Sequence, residues 1–348
     1  MTAARRPALP SLLVRLTGAV TGLGVFLLVT VVLAAYIGAE RVPLPVILES
    51  ARDLLAGRPL AGDSRLAQIF WYLRLPRVAM GAIVGAALTV AGGSLQGLLM
   101  NPLADPYLVG VSAGAALGAS LATVLHFGHT LGGAGRCVVG FASGALTMAL
   151  VIWLARSRGR IHRDAFILAG VVVGSFMWAL VTLLMSISGQ DLQTIVFWLM
   201  GSLSAEADWR VVAVVGAITG FGCLALYAYA RDLNLLSLGE EQARQLGVET
   251  EALKLWVIVF AALVTAAAVS VSGVIGFVGL VIPHIARKLF GPDHRLLLPA
   301  AGLMGAAFLV WADTLARGIG EAFPVGVLTA LLGAPFFFYL LKTRPRAA

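Results

Sequence analysis

Residues 253–290 read LKLWVIVFAALVTAAAVSVSGVIGFVGLVIPHIARKLF, with no Asp, Glu, Lys or Arg between Lys254 and Arg287. Such a run does not sit on an aqueous surface, and it is longer than the roughly 20 residues one helical crossing of hydrocarbon takes. Gly273 and Gly276 divide it, so the reading is two consecutive spans, 253–271 and 273–290. Working outward, similar apolar stretches bounded by charge or Pro/Gly turns place further spans near 16–38, 77–100, 106–126, 136–155, 164–186, 210–230, 296–317 and 324–341.

The whole chain agrees with that stretch. It is 59% hydrophobic and 12% charged with a mean hydropathy of +0.94, whereas soluble domains carry about a quarter charged residues. The 348 residues are therefore expected to form one all-α integral membrane domain, 1–348, of about ten transmembrane helices. Among so many apolar residues, the 40 glycines are expected to let helices approach closely. Cys137 and Cys223 fall inside spans with no CxxC and no Cys/His cluster, so they are read as small buried residues.

The net charge of +8 follows topology and does not require nucleic acid. With the N-terminus inside, most cations fall on inside segments, densest at Arg156, Arg158, Arg160 and Arg163, as the positive-inside rule favours. Ten crossings then leave both termini cytoplasmic. Residues 39–76 become a long outer loop, in which Val46, Ile47, Ala51, Leu54 and Leu55 form one face of a short helix. Ile195–Leu203 is too short to cross and reads as a half-helix.

The inside segment 231–252 has Ser237 and Glu240 at capping-box spacing and Glu240 and Arg244 at ion-pair spacing, with a stop near Gly247. Leu235, Leu236, Leu238 and Leu246 are too apolar for a fully solvated loop. They dock either onto a partner or back onto the bundle.

Chemistry-bearing motifs are few. No GxxxxGK[ST] or HExxH occurs, so an ATP-driven process would need a partner ATPase, and no cofactor is implied. His126 and His129 form a weak metal pattern in a glycine-rich turn. Asp313, the one acid well inside a span, has Arg317 one turn on and reads as a structural pair; an ion-coupled secondary transporter is the competing reading. Arg74 and Arg77 open the 77–100 span from outside. A faint internal echo joins the acidic Pro turns at Asp105 and Asp293.

Several of these segments together resemble the FecCD/BtuC-like permeases of type II ABC importers, which move haem, ferric siderophores and vitamin B12. They are Leu73-Arg74-Leu75-Pro76-Arg77, Gly92-Gly93-Ser94-Leu95-Gln96 through Asn101-Pro102-Leu103-Ala104-Asp105-Pro106, and Leu108-Val109-Gly110-Val111-Ser112-Ala113-Gly114. Others are Trp198 to Leu203, Leu233-Asn234-Leu235 to Gly247, Gly276-Phe277-Val278-Gly279 to Pro283-His284, and Pro324 to Pro335.

The resemblance implies a homodimer in the bacterial inner membrane, served by two ATP-binding-cassette ATPase subunits and a periplasmic substrate-binding protein. It implies coupling helices within 233–248, including Leu235, Leu238, Glu240, Arg244, Leu246 and Gly247, and docking of the binding protein at Arg74, Arg77 and Arg317. A path would run along 164–186, 194–205 and 324–341, with Met177, Trp178, Met185, Phe336 and Phe337 as candidates, and a cytoplasmic gate would lie at Arg158, Arg160 and His162. The implied cargo is haem or another iron chelate, with cobalamin as the alternative.

Overall fold

The structure is a computed structural model that describes residues 9–38, 40–56, 65–127, 134–203, 208–320 and 323–343. α1 (Leu9–Tyr36) is followed by α2 (Leu44–Leu55) and α3 (Arg65–Gln68). A π-helical stretch (Ile69–Arg74) joins α3 to α4 (Leu75–Leu98), and a 3-10 turn (Pro106–Val109) leads into α5 (Val111–Val124). Next come α6 (Gly135–Ala155), a hairpin of β1 (Arg156–Ser157) and β2 (Arg160–Ile161), α7 (Arg163–Ile187), the short α8 (Leu192–Leu199) and α9 (Trp209–Ala228). The chain continues with α10 (Ala230–Leu236), α11 (Glu240–Gln245), α12 (Thr250–Ser272), α13 (Val278–Phe290), α14 (His294–Ile319) and α15 (Val325–Thr343).

All ten expected spans are helical, and among the described residues seven helices are long and apolar enough to cross a membrane: α1, α3–α4, α6, α7, α9, α12 and α14. The others are shorter. Two are the apolar segments Val111–Val124 and Val325–Phe338, and the third is α13, of 13 residues. That helix begins at Val278 instead of near 273, because α12 stops at Gly273 (φ 65) and residues 273–277 are non-helical.

The second span also starts earlier than its apolar pattern suggests. Residues 65–76, read as the end of a loop, are helical and continue into α4, so Arg74 and Arg77 lie within the helix and not at its mouth. The π stretch has a local cause. Pro76 has no N–H to donate and its ring crowds the carbonyl four residues back, and the widened turn resolves this, with the Leu75 N–H reaching the Phe70 carbonyl.

α2 forms where the 39–76 segment predicts it, and Val46 and Ile47 pack beside Val42 and Phe70. Leu55, assigned to the same face, is 89% exposed, because it lies in the last turn, beyond that contact. Gly57, Arg58 and Pro59, the helix-breaking run that follows α2 in the sequence, lie outside the described residues. Trp71 Nε1 donates to Ser50 Oγ (2.9 Å) and anchors α2.

α4, α12 and α14 form the buried centre, and α1, α7 and α9 present most of their apolar surface outward. α4 and α14 cross at Gly85 and Gly305, where a Cβ on either residue would strike backbone of the other helix. Only glycine allows that approach, the packing the glycine content anticipates.

Candidate functional site

Charged side chains gather at two ends of the bundle. One end carries the β hairpin, α10 and α11. Arg158 (φ 48) and Gly159 (φ 80) supply the two left-handed positions of the hairpin turn, as a two-residue hairpin requires. Arg158, Arg160 and His162 are exposed, while Ile161 between them is 4% exposed.

Ile161 is held by α12 through both backbone groups. Its N–H donates to Glu251 Oε2 (2.8 Å), and its carbonyl accepts from Lys254 Nζ (3.2 Å). Lys254 Nζ also donates to Glu251 Oε1 (2.9 Å) and Glu240 Oε1 (2.8 Å), so all three ammonium protons are engaged although the side chain is only 6% exposed. Arg244 donates to Glu240 Oε1 (3.0 Å) and Thr250 Oγ1 (3.0 Å) and lies 3.8 Å from Glu251. One network therefore joins α11, the start of α12 and the hairpin that leads into α7. Burial pushes the Glu240 carboxyl up, but the Lys254 hydrogen bond and the Lys254 and Arg244 charges outweigh it and hold the group below its ordinary value.

The 231–252 segment folds as two helices. Leu233 and Leu236 are fully buried and Leu235 is packed against the core, whereas Leu238 and Leu246 are 56% and 57% exposed. The apolar residues thus divide, some returning to the bundle and two facing away from it. The expected capping box does not form. Ser237 Oγ donates to the Asn234 carbonyl in the last turn of α10 (2.6 Å), and Gly239 at φ 119 precedes α11 without a side-chain cap. The stop near Gly247 (φ 87) is present.

α10 is fixed to the start of α14 by Asn234, which donates to Asp293 Oδ1 (2.6 Å) and accepts from the His294 N–H (2.9 Å). Asp293 caps α14 through the Arg295 N–H (3.0 Å), as Asp105 caps the 3-10 turn through the Tyr107 N–H (2.9 Å). The two acidic turns of the faint repeat therefore do the same job. At the same end Arg287 reaches Gln96 (3.0 Å) and ties α13 to α4.

At the opposite end, Asp313 is shared by two arginines. Arg77 binds it through Nε (3.0 and 3.1 Å) and Nη2 (2.8 Å), and Arg317 Nε lies 3.2 Å from it. Asp313 is 2% exposed, Arg77 13% and Arg317 12%. Arg317 also donates to Ala34 (3.2 Å) and Ile37 (3.3 Å), and Arg74 to Ala35 (3.1 Å), Tyr36 (3.4 Å) and Glu40 (2.7 Å), all backbone carbonyls. The three guanidinium groups thus close the end of α1 onto α4 and α14. The Asp313–Arg317 pairing was readable from sequence; the Arg77 contact, 236 residues away, was not.

The candidate path residues occupy different settings. Trp178 is 41% exposed, Met177 packs on the core beside Val173, and Met185 packs beside Val181 and Trp198. Phe336 and Phe337 are half-buried on α15. Cys137 is buried and Cys223 partly so, and neither is in a disulfide. His126 (φ 55) lies 3.9 Å from Asp191, and His129 is outside the described residues. Among the described residues no three His, Cys, Asp or Glu side chains converge on a common point.

Comparison with known proteins gives a consistent picture. The FecCD transport family matches residues 26–343. A cobalamin import system permease, BtuC of Halobacterium salinarum, is 45% identical over 78% of the chain and 73% of its own length. A hemin transport system permease, HmuU of Yersinia pestis, is 43% identical over 78% and 83%. A solved metal-chelate type ABC transporter in an inward-facing conformation superposes with a TM-score of 0.79 at 34% identity, covering 94% of this chain and 99% of that one.

Proposed function

The chain belongs to the FecCD transport family, and from that premise we propose that it is the membrane permease of an ABC importer that carries haem or another iron chelate, driven by ATP hydrolysis on partner subunits. Cobalamin is the alternative cargo. Relatives named for hemin and for cobalamin are nearly equally similar, so identity does not choose between them. The path helices offer Trp178, Phe336 and Phe337, surfaces suited to a bulky chelate more than to a bare ion.

The observation that carries this reading is the network at the hairpin end. A short helix, α11, is flanked by exposed Leu238 and Leu246 and bolted through Glu240 and Lys254 to the hairpin before α7. Force applied to that helix by a docked ATPase reaches the hairpin without passing through flexible chain. In this reading the hairpin end is cytoplasmic, as are both termini, and Arg158, Arg160 and His162 line the gate.

Two copies are taken to pair about the path, with a periplasmic binding protein delivering cargo at the opposite end of the bacterial inner membrane. Arg74, Arg77 and Arg317 would serve that docking by fixing the shape of the surface, since their guanidinium groups are committed within the chain. The same commitment argues against ion coupling. An ion-coupled carrier needs an intramembrane carboxylate open to its passing ion, and Asp313 is 2% exposed and paired with two arginines.

The test is uptake into proteoliposomes containing this chain with its cognate ATPase and binding protein. Haem, a ferric siderophore and cobalamin are offered with and without ATP. ATP-dependent accumulation of haem or the siderophore is expected; accumulation of cobalamin alone selects the alternative, and a flux that follows a proton gradient without ATP overturns the assignment.

A further inference from the structure

Between α1 and α9 the bundle leaves a groove of about 670 Å³, in the half of the molecule nearer the hairpin end. α1 contributes Leu16 and Val20 to its walls, α9 contributes Leu224 and Tyr227, and the floor is Val90 of α4 and Gly302 of α14. The lining is almost wholly apolar. Thr17, one of its few polar residues, spends its hydroxyl on the Leu13 carbonyl in its own helix (2.8 Å). The groove reaches as deep as Ala86, which at 1.5 Å per residue is about 18 Å along α4 from Leu98. That depth is close to one leaflet, half of the roughly 30 Å hydrocarbon core.

The mouth of the groove is cationic. Arg15, exposed and next to Leu16, donates to the Phe290 carbonyl (3.3 Å) and has no acidic partner among the described residues. Arg295, on the first turn of α14, is neutralised by Asp293 (2.7 Å). Arg15 therefore carries an uncompensated charge at the mouth of an apolar cleft.

We propose that this groove is a binding site for an anionic glycerophospholipid, with one acyl chain lying between α1 and α9 and the phosphate held by Arg15. Each half of the site selects one half of the ligand. Hydrocarbon fills a cleft that offers water few hydrogen-bonding partners, and a basic residue at the interfacial end of a groove between helices attracts an anionic headgroup. The bound chain would complete the packing of α1, which rests on α14 and leaves its face toward α9 open.

The test uses the purified full chain in detergent micelles and native mass spectrometry, with phosphatidylglycerol and phosphatidylcholine of identical chains added in turn. One phosphatidylglycerol is expected to be retained in preference to phosphatidylcholine. Arg15→Gln is expected to reduce its occupancy roughly fivefold, as removal of one interfacial cation does, and Val20→Trp to reduce it at least as much by filling the groove. A measurement without variants runs beside these: phosphatidylglycerol with a diazirine in the acyl chain should crosslink to peptides containing Leu16–Thr21 and Leu298–Leu303. Equal retention of the two lipids, retention of detergent alone, unchanged occupancy in either variant, or crosslinks confined to other helices would overturn the proposal.

Discussion

The two ends of the molecule are built from the same materials and put to different uses. At one end Arg77, Asp313 and Arg317 form a cluster whose side chains are 2% to 13% exposed. At the other, Lys254 is buried at 6%, but its partners Glu240 and Glu251 are 32% and 30% exposed and Arg244 is 37% exposed. The first cluster ties together three long helices. The second ties a peripheral helix to a hairpin through one buried ammonium group. A desolvated cluster has one low-energy arrangement and acts as a lock; a network open on one side keeps its geometry while remaining within reach of a partner. The difference lies in burial, not in the kind of residue.

If that contrast is right, breaking the lock costs the most. Asp313→Ala leaves two buried guanidinium groups uncompensated, and a loss of about 3–5 kcal/mol of stability is expected, read as a large fall in the thermal midpoint of the purified chain. A change below about 1 kcal/mol would mean the cluster is solvated, and the contrast would collapse.

Lys254→Met should cost less, about 1–3 kcal/mol, mainly from the Ile161 carbonyl losing its donor. The remaining carboxylates can turn toward water. A cost as large as that of Asp313→Ala would make the hairpin end a lock as well.

Leu238→Asp combined with Leu246→Asp should leave stability within about 0.5 kcal/mol, as exposed substitutions do. The same change should abolish co-purification with the ATPase. Retained co-purification would move the docking surface elsewhere.

Acid should act least. The Glu240 carboxyl is held below its ordinary value of 4.5, so its contribution is complete above that pH and is lost as pH falls through the lowered folded value. Because Glu240 is about one-third exposed, solvent screens the interaction and the change should be small. The thermal midpoints of wild type and Glu240→Gln should differ by a small constant amount above pH 4.5 and converge only as the pH falls below it; convergence already near neutrality would place a different group in control.

Much of the fold was legible because a span announces itself through local composition, and ten apolar segments became ten helices. Contacts within one helix were legible for the same reason: Glu240–Arg244 and Asp313–Arg317 are both spaced one turn apart. What sequence does not carry is the register between helices. Arg77 and Asp313, or Lys254 and Ile161 at 93 residues apart, meet only once glycine contacts such as Gly85 on Gly305 set the crossing. The capping box failed for a related reason, since Ser237 belongs to the unwinding turn of α10. Pro76 was a visible signal for the π stretch, yet its effect depended on the helix already running from Arg65.

The central claim is that α11 drives the hairpin through Lys254. The most direct measurement is the ratio of cargo accumulated to ATP hydrolysed in proteoliposomes, for wild type and Lys254→Met assembled with the same ATPase and binding protein. The account predicts that hydrolysis persists while accumulation falls at least about tenfold, the equivalent of 1.4 kcal/mol of coupling. An unchanged ratio in the variant would contradict it.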